Sequence, residues 1–156
     1  MTQTDTPKHI LDGYRILDFT QFLAGPTTTR LMAEMGAEVI KVELMPEGDP
    51  VRLLPYRRQG RSGYFIQQSR GKKSICVDIR KPKGLALVKG LIKDCDIVLE
   101  NFSPGAIARM GLSYEVIKSI KPDIIMCSIS AFGQSGPLSS LPGFDYIAMA
   151  VSGVMD

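Results

Sequence analysis

Residues 14–43 constrain the fold more than any other stretch, because they have the pattern of a strand, a turn, a helix and a second strand. A short apolar run at residues 16–19 ends in the polar residues Thr20 and Gln21. Ala24-Gly25-Pro26 then predicts a turn, since glycine accepts unusual backbone angles and proline suits the first helical position. The sequence therefore predicts a sharp connection from the first strand into a helix.

The helix is indicated at residues 27–35, which carry apolar side chains at helical spacing. Gly36 suits the left-handed position that closes a helix. Residues 39–42 form a second apolar run, and Glu43 stands at its carboxyl end. Such a unit pairs two parallel strands through a right-handed crossover, so we expect a parallel sheet with helices packed on it.

This unit is also a common cradle for nucleotides. The helix N-terminus attracts anions, and an acid at the end of the second strand, here Glu43, can hold a ribose hydroxyl. A dinucleotide site requires the pattern G-x-G-x-x-G, and this turn contains only Gly25, which argues against NAD. A plain structural turn stays open as the alternative.

Length and composition limit the classes of site. The 156 residues suffice for one domain, and residues 1–12 are expected to be a flexible polar leader without the apolar segment of a signal peptide. With no long apolar run, we expect a cytoplasmic protein without a membrane partner. The widely spaced Cys76, Cys95 and Cys127 predict small buried residues in a reducing compartment rather than disulfides or a metal site. The single histidine, His9, lies in the leader and excludes Ser-His-Asp and Cys-His catalysis within the chain.

The segment at residues 52–83 concentrates positive charge, with ten basic residues and a single acid, Asp78. A small ligand rich in phosphate is favoured by the neighbouring strand–helix–strand unit. A solvated surface is the second reading. Nucleic acid is the third and the least supported, because few aromatic residues accompany the charges.

The remaining pattern predicts further strands at residues 74–79, 96–100 and 124–130, the last buried on both faces. Helices are expected from residue 82, from residue 113 with Ser113 as N-cap, and from residue 144. The turns at residues 23–25, 101–102 and 130–135 each follow a predicted strand. Carboxyl ends of parallel strands face one crevice, so these turns are expected to line one site.

The order of these segments resembles the N-terminal part of the family III CoA-transferases, the formyl-CoA transferase-like group that also contains alpha-methylacyl-CoA racemases. The matching segments span residues 11–155 and read LDGYRILDFTQFLAGP, MGAEVIKVE, GKKSICVDIRKPKG, DIVLENFSPGAIARMGLSYEVI and SISAFGQSGPLSSLPGFDYIAMAVSGVM. The resemblance implies an open α/β fold with a parallel, Rossmann-like sheet and flanking helices. It implies that residues 13–156 are a CoA-binding domain, incomplete without a small domain and a returning C-terminal part. It further implies an interlocked homodimer at full length.

The resemblance also assigns residues to coenzyme A. The backbone at Leu23 and Ala24 would lie beside CoA, and the thioester end would lie near Ser130, Ala131, Phe132 and Gly133. The nucleotide end would lie near Val77, Asp78, Ile79 and Arg80, with Asn101, Phe102 and Ser103 along the pantetheine path and Arg109 at a phosphate. Leu44 and Ser130 replace an Arg and a Lys of formyl-CoA transferase, which weakens any claim of formyl-CoA specificity. No metal is implied.

The family's transfer reaction uses an aspartate as nucleophile, through a mixed anhydride and an enzyme–CoA thioester, to move CoA between an acyl-CoA and a carboxylic acid. The pattern places that aspartate beyond Asp156, which predicts a truncated N-terminal piece, inactive alone. A catalytically inactive CoA-binding fragment is therefore an alternative. A racemase-like enzyme is another, with Asp145 moving a proton beside the thioester, although that branch has His where Phe144 stands. Otherwise Asp145 is expected to be a helix N-terminal carboxylate bonded to backbone N–H groups.

Overall fold

A five-stranded parallel sheet is the centre of the fold in the computed structural model, which describes residues 9–155. The seven strands in chain order are β1 Arg15–Asp18, β2 Glu38–Leu44, β3 Arg57–Arg58, β4 Arg61–Ser62, β5 Lys73–Val77, β6 Ile97–Glu100 and β7 Ile125–Ser128. The sheet has the order β5-β2-β1-β6-β7, while β3 and β4 form a separate antiparallel hairpin. All neighbours in the large sheet pair in parallel, which confirms the predicted fold class.

Helices cover both faces of the sheet. They are α1 Ala24–Glu34, α2 Gly63–Ser69, α3 Pro82–Ile92, α4 Ala106–Arg109, α5 Tyr114–Ile120 and α6 Asp145–Val151, with a 3-10 helix at Pro50–Leu53. Successive strand residues point to opposite faces. Leu17 accordingly packs in a core with α3, α4 and α5, whereas Ile16 packs in a second core with α1.

Local signals place several helix ends correctly. Ser113 Oγ accepts a hydrogen bond from Val116 N–H at 3.4 Å and caps α5 as predicted. Gly36 has φ +102° just past α1, where a residue with a β-carbon would be strained. Val88 and Ile92 of α3 are fully buried, as their spacing predicted, and burial of such side chains contributes about 1.5–3 kcal/mol each.

Two burial predictions are wrong, and both concern edge strands. β7 was predicted to be buried on both faces, yet Ile125 is 60% exposed, because β7 is the last strand of the sheet and has a neighbour on one side only. Cys76 was predicted to be buried, yet it is exposed on β5, the opposite edge. Cys95 is buried as predicted, and Cys127 is half-buried.

A flexible leader was predicted at residues 1–12, of which residues 1–8 lie outside the described part of the chain. Residues 9–12 form a turn in which Asp12 Oδ2 accepts from His9 N–H at 2.8 Å. Leu11 N–H donates to the Met35 carbonyl at 2.9 Å, so this turn is attached to the end of α1. Within residues 9–155, none of the helices has the length and apolar composition needed to cross a membrane.

Candidate functional site

A crevice opens at the carboxyl ends of β1 and β6, where the order of the strands reverses. The chain runs outward from β1 to β2 and β5 on one side and from β6 to β7 on the other. Ligands of open parallel sheets bind at such a reversal. The crevice has a volume of about 400 Å³ and is lined by the segments 21–24, 101–104, 129–131 and 141–145, together with Ala148.

An asparagine fixes the first wall of the crevice. Asn101 Oδ1 accepts from Gln21 N–H at 2.7 Å, and Asn101 Nδ2 donates to the Gln21 carbonyl at 2.8 Å. The end of β6 thereby holds the connection between β1 and α1 through both backbone groups of a single residue. The next residue, Phe22, has φ +63°, which is a left-handed conformation that residues other than glycine rarely adopt.

The predicted turn at Ala24-Gly25-Pro26 is instead the first turn of α1, and the chain reverses at residues 21–23. Gly25 is required for a different reason from the one expected. A β-carbon at Gly25 would lie 2.3 Å from Cγ2 of Thr20, which is fully buried and whose N–H donates to Asp18 Oδ1 at 2.8 Å. Glycine at this position therefore permits close packing of α1 against the end of β1.

The opposite wall is formed by the loop after β7 and the start of α6. A β-carbon at Gly143 would lie 2.4 Å from Cβ of Ala131, so the two segments approach as closely as a glycine allows. The rings of Phe22 and Phe144 meet edge to face, with centroids 5.8 Å apart at 82°. This contact joins the two walls, and such pairs contribute about 0.5–1.5 kcal/mol.

Asp145 supplies negative charge at the crevice. It is the first residue of α6, and within residues 9–155 its carboxylate accepts no hydrogen bond from backbone N–H groups, which corrects the capping role expected from the sequence. Burial raises the pKa of Tyr64, and the charges of Asp145 and Asp49 raise it further. Tyr64 on α2 is therefore close enough for the charge of Asp145 to affect its pKa. Its hydroxyl stays neutral and able to form hydrogen bonds at physiological pH.

Five of the ten basic residues in the segment 52–83 form ion pairs with carboxylates of the same protein. The pairs are Arg52 with Glu43, Arg70 with Glu34, Lys72 with Asp18, Lys73 with Glu38 and Arg80 with Asp78. Lys72 is buried, and its Nζ lies 3.0 Å from Asp18 Oδ2 and 2.7 Å from Thr29 Oγ1. The charge excess of this segment therefore serves the fold to a large extent, which the composition could not reveal.

Glu43 is the acid that the sequence suggested for a ribose hydroxyl, and the structure assigns it to internal contacts. Arg52 donates to its two oxygens at 2.5 and 2.6 Å, and Asp49 N–H and Ser74 Oγ donate as well. Burial alone would raise the pKa of Glu43, but these hydrogen bonds and the Arg52 charge lower it to about 2. The Arg52 guanidinium also lies 3.6 Å from the ring centre of Phe65.

The structure brings together many of the residues that the sequence singled out, but not all. The crevice is lined by Leu23, Ala24, Asn101, Phe102, Ser103, Ser130, Ala131 and Asp145. Phe132 and Gly133 lie beyond its lining in the same loop. The segment 77–80 begins at the last residue of β5, which stands two strands from β1 and hence roughly 10 Å from the crevice. Ile79 is buried in the core, and the Arg80 guanidinium contacts Asp78 at 2.8 Å.

Arg109 lies near the rim of the crevice without lining it. Its Nη1 would be 3.1 Å from a β-carbon on Gly105, so the guanidinium folds back toward the turn that contains Ser103 and Pro104. Arg109 is exposed and takes part in no ion pair within residues 9–155. It is therefore a cation at the edge of the site that can still accept an anionic partner.

Sequence reasoning missed several lining residues, namely Gln21, Phe22, Pro104, Ile129, Leu141, Pro142, Gly143, Phe144 and Ala148. Phe22 and Pro104 adjoin predicted residues, so a wider window around each strand end would have included them. The segment 141–144 carried a usable signal in its Leu-Pro-Gly sequence just before the last helix. Lys41, which does not line the crevice, carried another signal, because a lysine stands within the apolar run at residues 39–42.

In the part of the chain that the structure describes, side chains able to bind a metal are not clustered, and two of the cysteines have raised thiol pKa values. No group of three or more His, Cys, Asp or Glu side chains within residues 9–155 is arranged to hold a metal ion. Burial raises the pKa of Cys95 to about 11 and also raises the pKa of Cys127, so both stay protonated thiols near neutral pH.

Comparisons with known proteins identify similar sequences and similar structures. The family model described as CoA-transferase family III matches residues 11–156. Succinyl-CoA:glutarate CoA-transferase of Mus musculus is 49% identical over 146 residues, which cover 93% of this chain and 34% of that protein. Succinyl-CoA–D-citramalate CoA-transferase of Chloroflexus aurantiacus is 44% identical over 149 residues, covering 95% of this chain and 37% of that protein.

Solved structures show the same likeness. A CAIB/BAIF family protein from Brucella suis superposes with a TM-score of 0.88 at 39% identity, covering 96% of this chain and 41% of that chain. The protein Rv3272 of Mycobacterium tuberculosis superposes with a TM-score of 0.87 at 38% identity, covering 96% of this chain and 41% of that chain. The chain thus spans about a third of the length of the curated relatives it matches.

Proposed function

Because the chain belongs to CoA-transferase family III, we propose that it forms the acyl-CoA-binding part of an enzyme that moves CoA between a thioester and a carboxylic acid. The crevice at the reversal of the strand order carries this proposal. Its volume of about 400 Å³ is in the usual range for small-molecule sites. It is lined by apolar side chains and a few polar groups, which suits the pantetheine arm of CoA.

The proposed path of CoA follows the walls of the crevice. The pantetheine arm lies along Asn101, Phe102 and Ser103, and the thioester end lies beside Ser130 and Ala131, all of which line the crevice. Arg109 at the rim receives a phosphate, because its guanidinium is exposed and turned toward the turn that contains Ser103 and Pro104. Arg80 contributes charge near the nucleotide end.

The proposed chemistry is nucleophilic catalysis by an aspartate supplied by the protein outside these 156 residues. Its carboxylate attacks the thioester carbonyl and the C–S bond breaks. This step forms an aspartyl–acyl anhydride and releases the CoA thiolate. The thiolate then attacks the aspartyl carbonyl and releases the donor acid. The acceptor carboxylate then attacks the enzyme–CoA thioester, which forms a second anhydride and frees the CoA thiolate. The thiolate attacks the acceptor's acyl carbonyl, which gives the new acyl-CoA and the free aspartate. The residues of this chain hold CoA while the acyl group is exchanged.

Succinyl-CoA is the donor that the relatives favour, since it appears in the names of the mouse and Chloroflexus proteins. The test uses the native polypeptide that carries this sequence, with succinyl-CoA as donor and glutarate as acceptor. Succinyl-CoA alone is expected to give an enzyme–CoA thioester that hydroxylamine cleaves, with release of one CoA per site. A protein that binds succinyl-CoA without forming a trappable thioester would overturn the transferase chemistry.

Asp145 favours a second candidate, because its carboxylate lines the crevice without a backbone hydrogen-bond partner in the described residues. Proton transfer at the carbon beside the thioester would then be the reaction. Incubation with a 2-methylacyl-CoA in D₂O separates the two candidates. Deuterium at that carbon without thioester formation would support the racemase-like reaction and contradict the transferase.

The two arginines give a sharper test of the CoA path. Arg109→Ala and Arg80→Ala are each expected to weaken binding of CoA by about tenfold or more while changing the affinity for dephospho-CoA less, if the side chain contacts the 3′-phosphate. Isothermal titration with both ligands measures the difference. Lys93→Ala is the control, because Lys93 is exposed at the C-terminal end of α3, which lies at the opposite end of the sheet. Equal losses for the two ligands would remove the 3′-phosphate role.

A further inference from the structure

A buried lysine on β2 contacts the connection that forms the first wall of the crevice. Lys41 Nζ donates to the Thr20 carbonyl at 2.6 Å, and the lysine side chain is 1% exposed. Thr20 immediately precedes Gln21, where the crevice begins. The position is set by the sheet, because Lys41 is the register partner of Asp18 at the end of β1. The ammonium group therefore holds the backbone of the crevice wall from beneath.

The charge of Lys41 is compensated by one carboxylate. Asp49 Oδ2 lies 2.7 Å from Lys41 Nζ, and the Asp49 side chain is 1% exposed; this contact is an ion pair rather than a well-aligned hydrogen bond. Asp49 Oδ1 accepts from Val51 N–H at 3.1 Å, and Asp49 N–H donates to Glu43 Oε2 at 3.0 Å. Lys41 thus connects the loop after β2 to the crevice wall.

The wall needs such support because Phe22 adopts φ +63°, which is unfavourable for a residue with a β-carbon. Contacts on the two preceding residues, Thr20 and Gln21, must outweigh this cost. Asn101 holds both backbone groups of Gln21, and Lys41 holds the Thr20 carbonyl just before it. Without the lysine, the Thr20 carbonyl would be buried without this donor, and the backbone before Phe22 would keep its contacts with Asn101 but lose this second anchor.

We propose that Lys41 is a positioning residue for the CoA site, which keeps Phe22 in the left-handed conformation that shapes the first wall of the crevice. This proposal rests on the proposed function, because the ligand whose affinity it predicts is CoA. The competing explanation is that Lys41 only neutralises Asp49. The two explanations differ when both charges are removed together, because the Thr20 carbonyl still lacks its donor.

Two variants of the native polypeptide test the proposal. Lys41→Met removes the donor and leaves Asp49 uncompensated, so it is expected to lose both stability and CoA affinity. In Lys41→Met/Asp49→Asn neither charge remains, while the introduced amide oxygen can still accept the Val51 N–H. The double variant is expected to regain most of the thermal stability yet to bind CoA about tenfold more weakly than the unmodified protein. Lys73→Met is the matched control, since Lys73 is exposed and pairs with Glu38.

A spectroscopic measurement accompanies the titrations. The Cα chemical shift of Phe22, observed with ¹³C-labelled phenylalanine and assigned through Phe22→Leu, reports the left-handed backbone. The shift is expected to move toward ordinary values in both Lys41 variants and to stay in Lys73→Met. A double variant with restored CoA affinity and an unchanged Phe22 shift would overturn the proposal. A double variant that fails to fold would also overturn it, since Lys41 would then serve stability alone.

The outcomes separate this proposal from the proposed function. If the unmodified polypeptide shows no binding of CoA, the proposed function fails, and the Phe22 shift in the variants still decides whether Lys41 positions the wall. If the unmodified polypeptide binds CoA and the double variant binds it equally well, the proposed function stands and the positioning role fails.

Discussion

Replacement of Asp18 by alanine is expected to lower the free energy of unfolding by about 3–5 kcal/mol, because it leaves the buried Lys72 ammonium without its counter-charge. Lys72 Nζ lies 3.0 Å from Asp18 Oδ2, and both side chains are at most 1% exposed. The substitution also removes the acceptor for Thr20 N–H at 2.8 Å and for Thr29 Oγ1 at 2.7 Å. Urea denaturation followed by circular dichroism measures the loss.

The pH dependence of this variant gives an independent check. Burial lowers the pKa of Lys72 even though the charge of Asp18 opposes that shift. Without Asp18 the folded protein binds the Lys72 proton less tightly than the unfolded chain does. The stability of Asp18→Ala is therefore expected to rise as the pH increases toward the ordinary lysine pKa of about 10.4, where the unfolded chain also loses this proton.

The matched control for Asp18→Ala is Asp123→Ala, because the Asp123 side chain is 78% exposed. It is expected to change the free energy of unfolding by less than about 0.5 kcal/mol. A loss below about 1 kcal/mol in Asp18→Ala would show that Lys72 finds another partner or reaches water, and the assignment of a buried ion pair under α1 would then be wrong.

Glu43→Gln is expected to be the second largest loss, about 3 kcal/mol at neutral pH. The contacts of Glu43 lower its pKa from the usual 4.5 to about 2, so the folded state favours the charged carboxylate over the protonated form by this amount. Glutamine keeps the shape of the side chain, but its amide is uncharged and has one acceptor oxygen for Arg52 instead of two. Thermal and urea denaturation of the two proteins measure the difference.

The sign of the pH effect follows from the lowered pKa of Glu43. Its contribution is fully present above about pH 4.5 and is lost as the pH falls toward 2, because the unfolded chain takes up the proton first. Stability of the unmodified protein is expected to fall through this range, and Glu43→Gln is expected to show a flatter profile. Glu47→Gln, at an exposed position, is the control and should retain the slope. Parallel profiles for Glu43→Gln and the unmodified protein would contradict the assignment.

Much of the candidate site could be predicted from the sequence because strand ends are visible in it. The turns after β1, β6 and β7 were expected to meet, and the geometry of parallel strands brings segments 21–24, 101–104 and 129–131 into one crevice. The prediction needed only the order and direction of the strands. The roles of these residues toward CoA stay predictions, which the arginine and Lys41 variants test.

The basic segment shows where sequence reasoning ended. Ten basic residues within residues 52–83 indicated a phosphate-rich ligand, yet five of them pair with carboxylates of the same protein. Four of those carboxylates precede the segment in the chain and reach it only through the fold. Composition records the charge of a segment but not its partners, so it could not separate a ligand surface from an internal network.

The sequence by itself determined the parallel α/β fold and several of the positions where its helices begin or end. Those features depend on local physics, namely the spacing of apolar residues, the Ser113 cap and the left-handed glycine at position 36. Only the tertiary structure decided that Phe22 is left-handed, that Asn101 holds Gln21 across 80 residues of sequence, and that Lys41 lies buried beneath the crevice. These contacts join residues far apart in the chain, and their energy exists only after the sheet has brought them together.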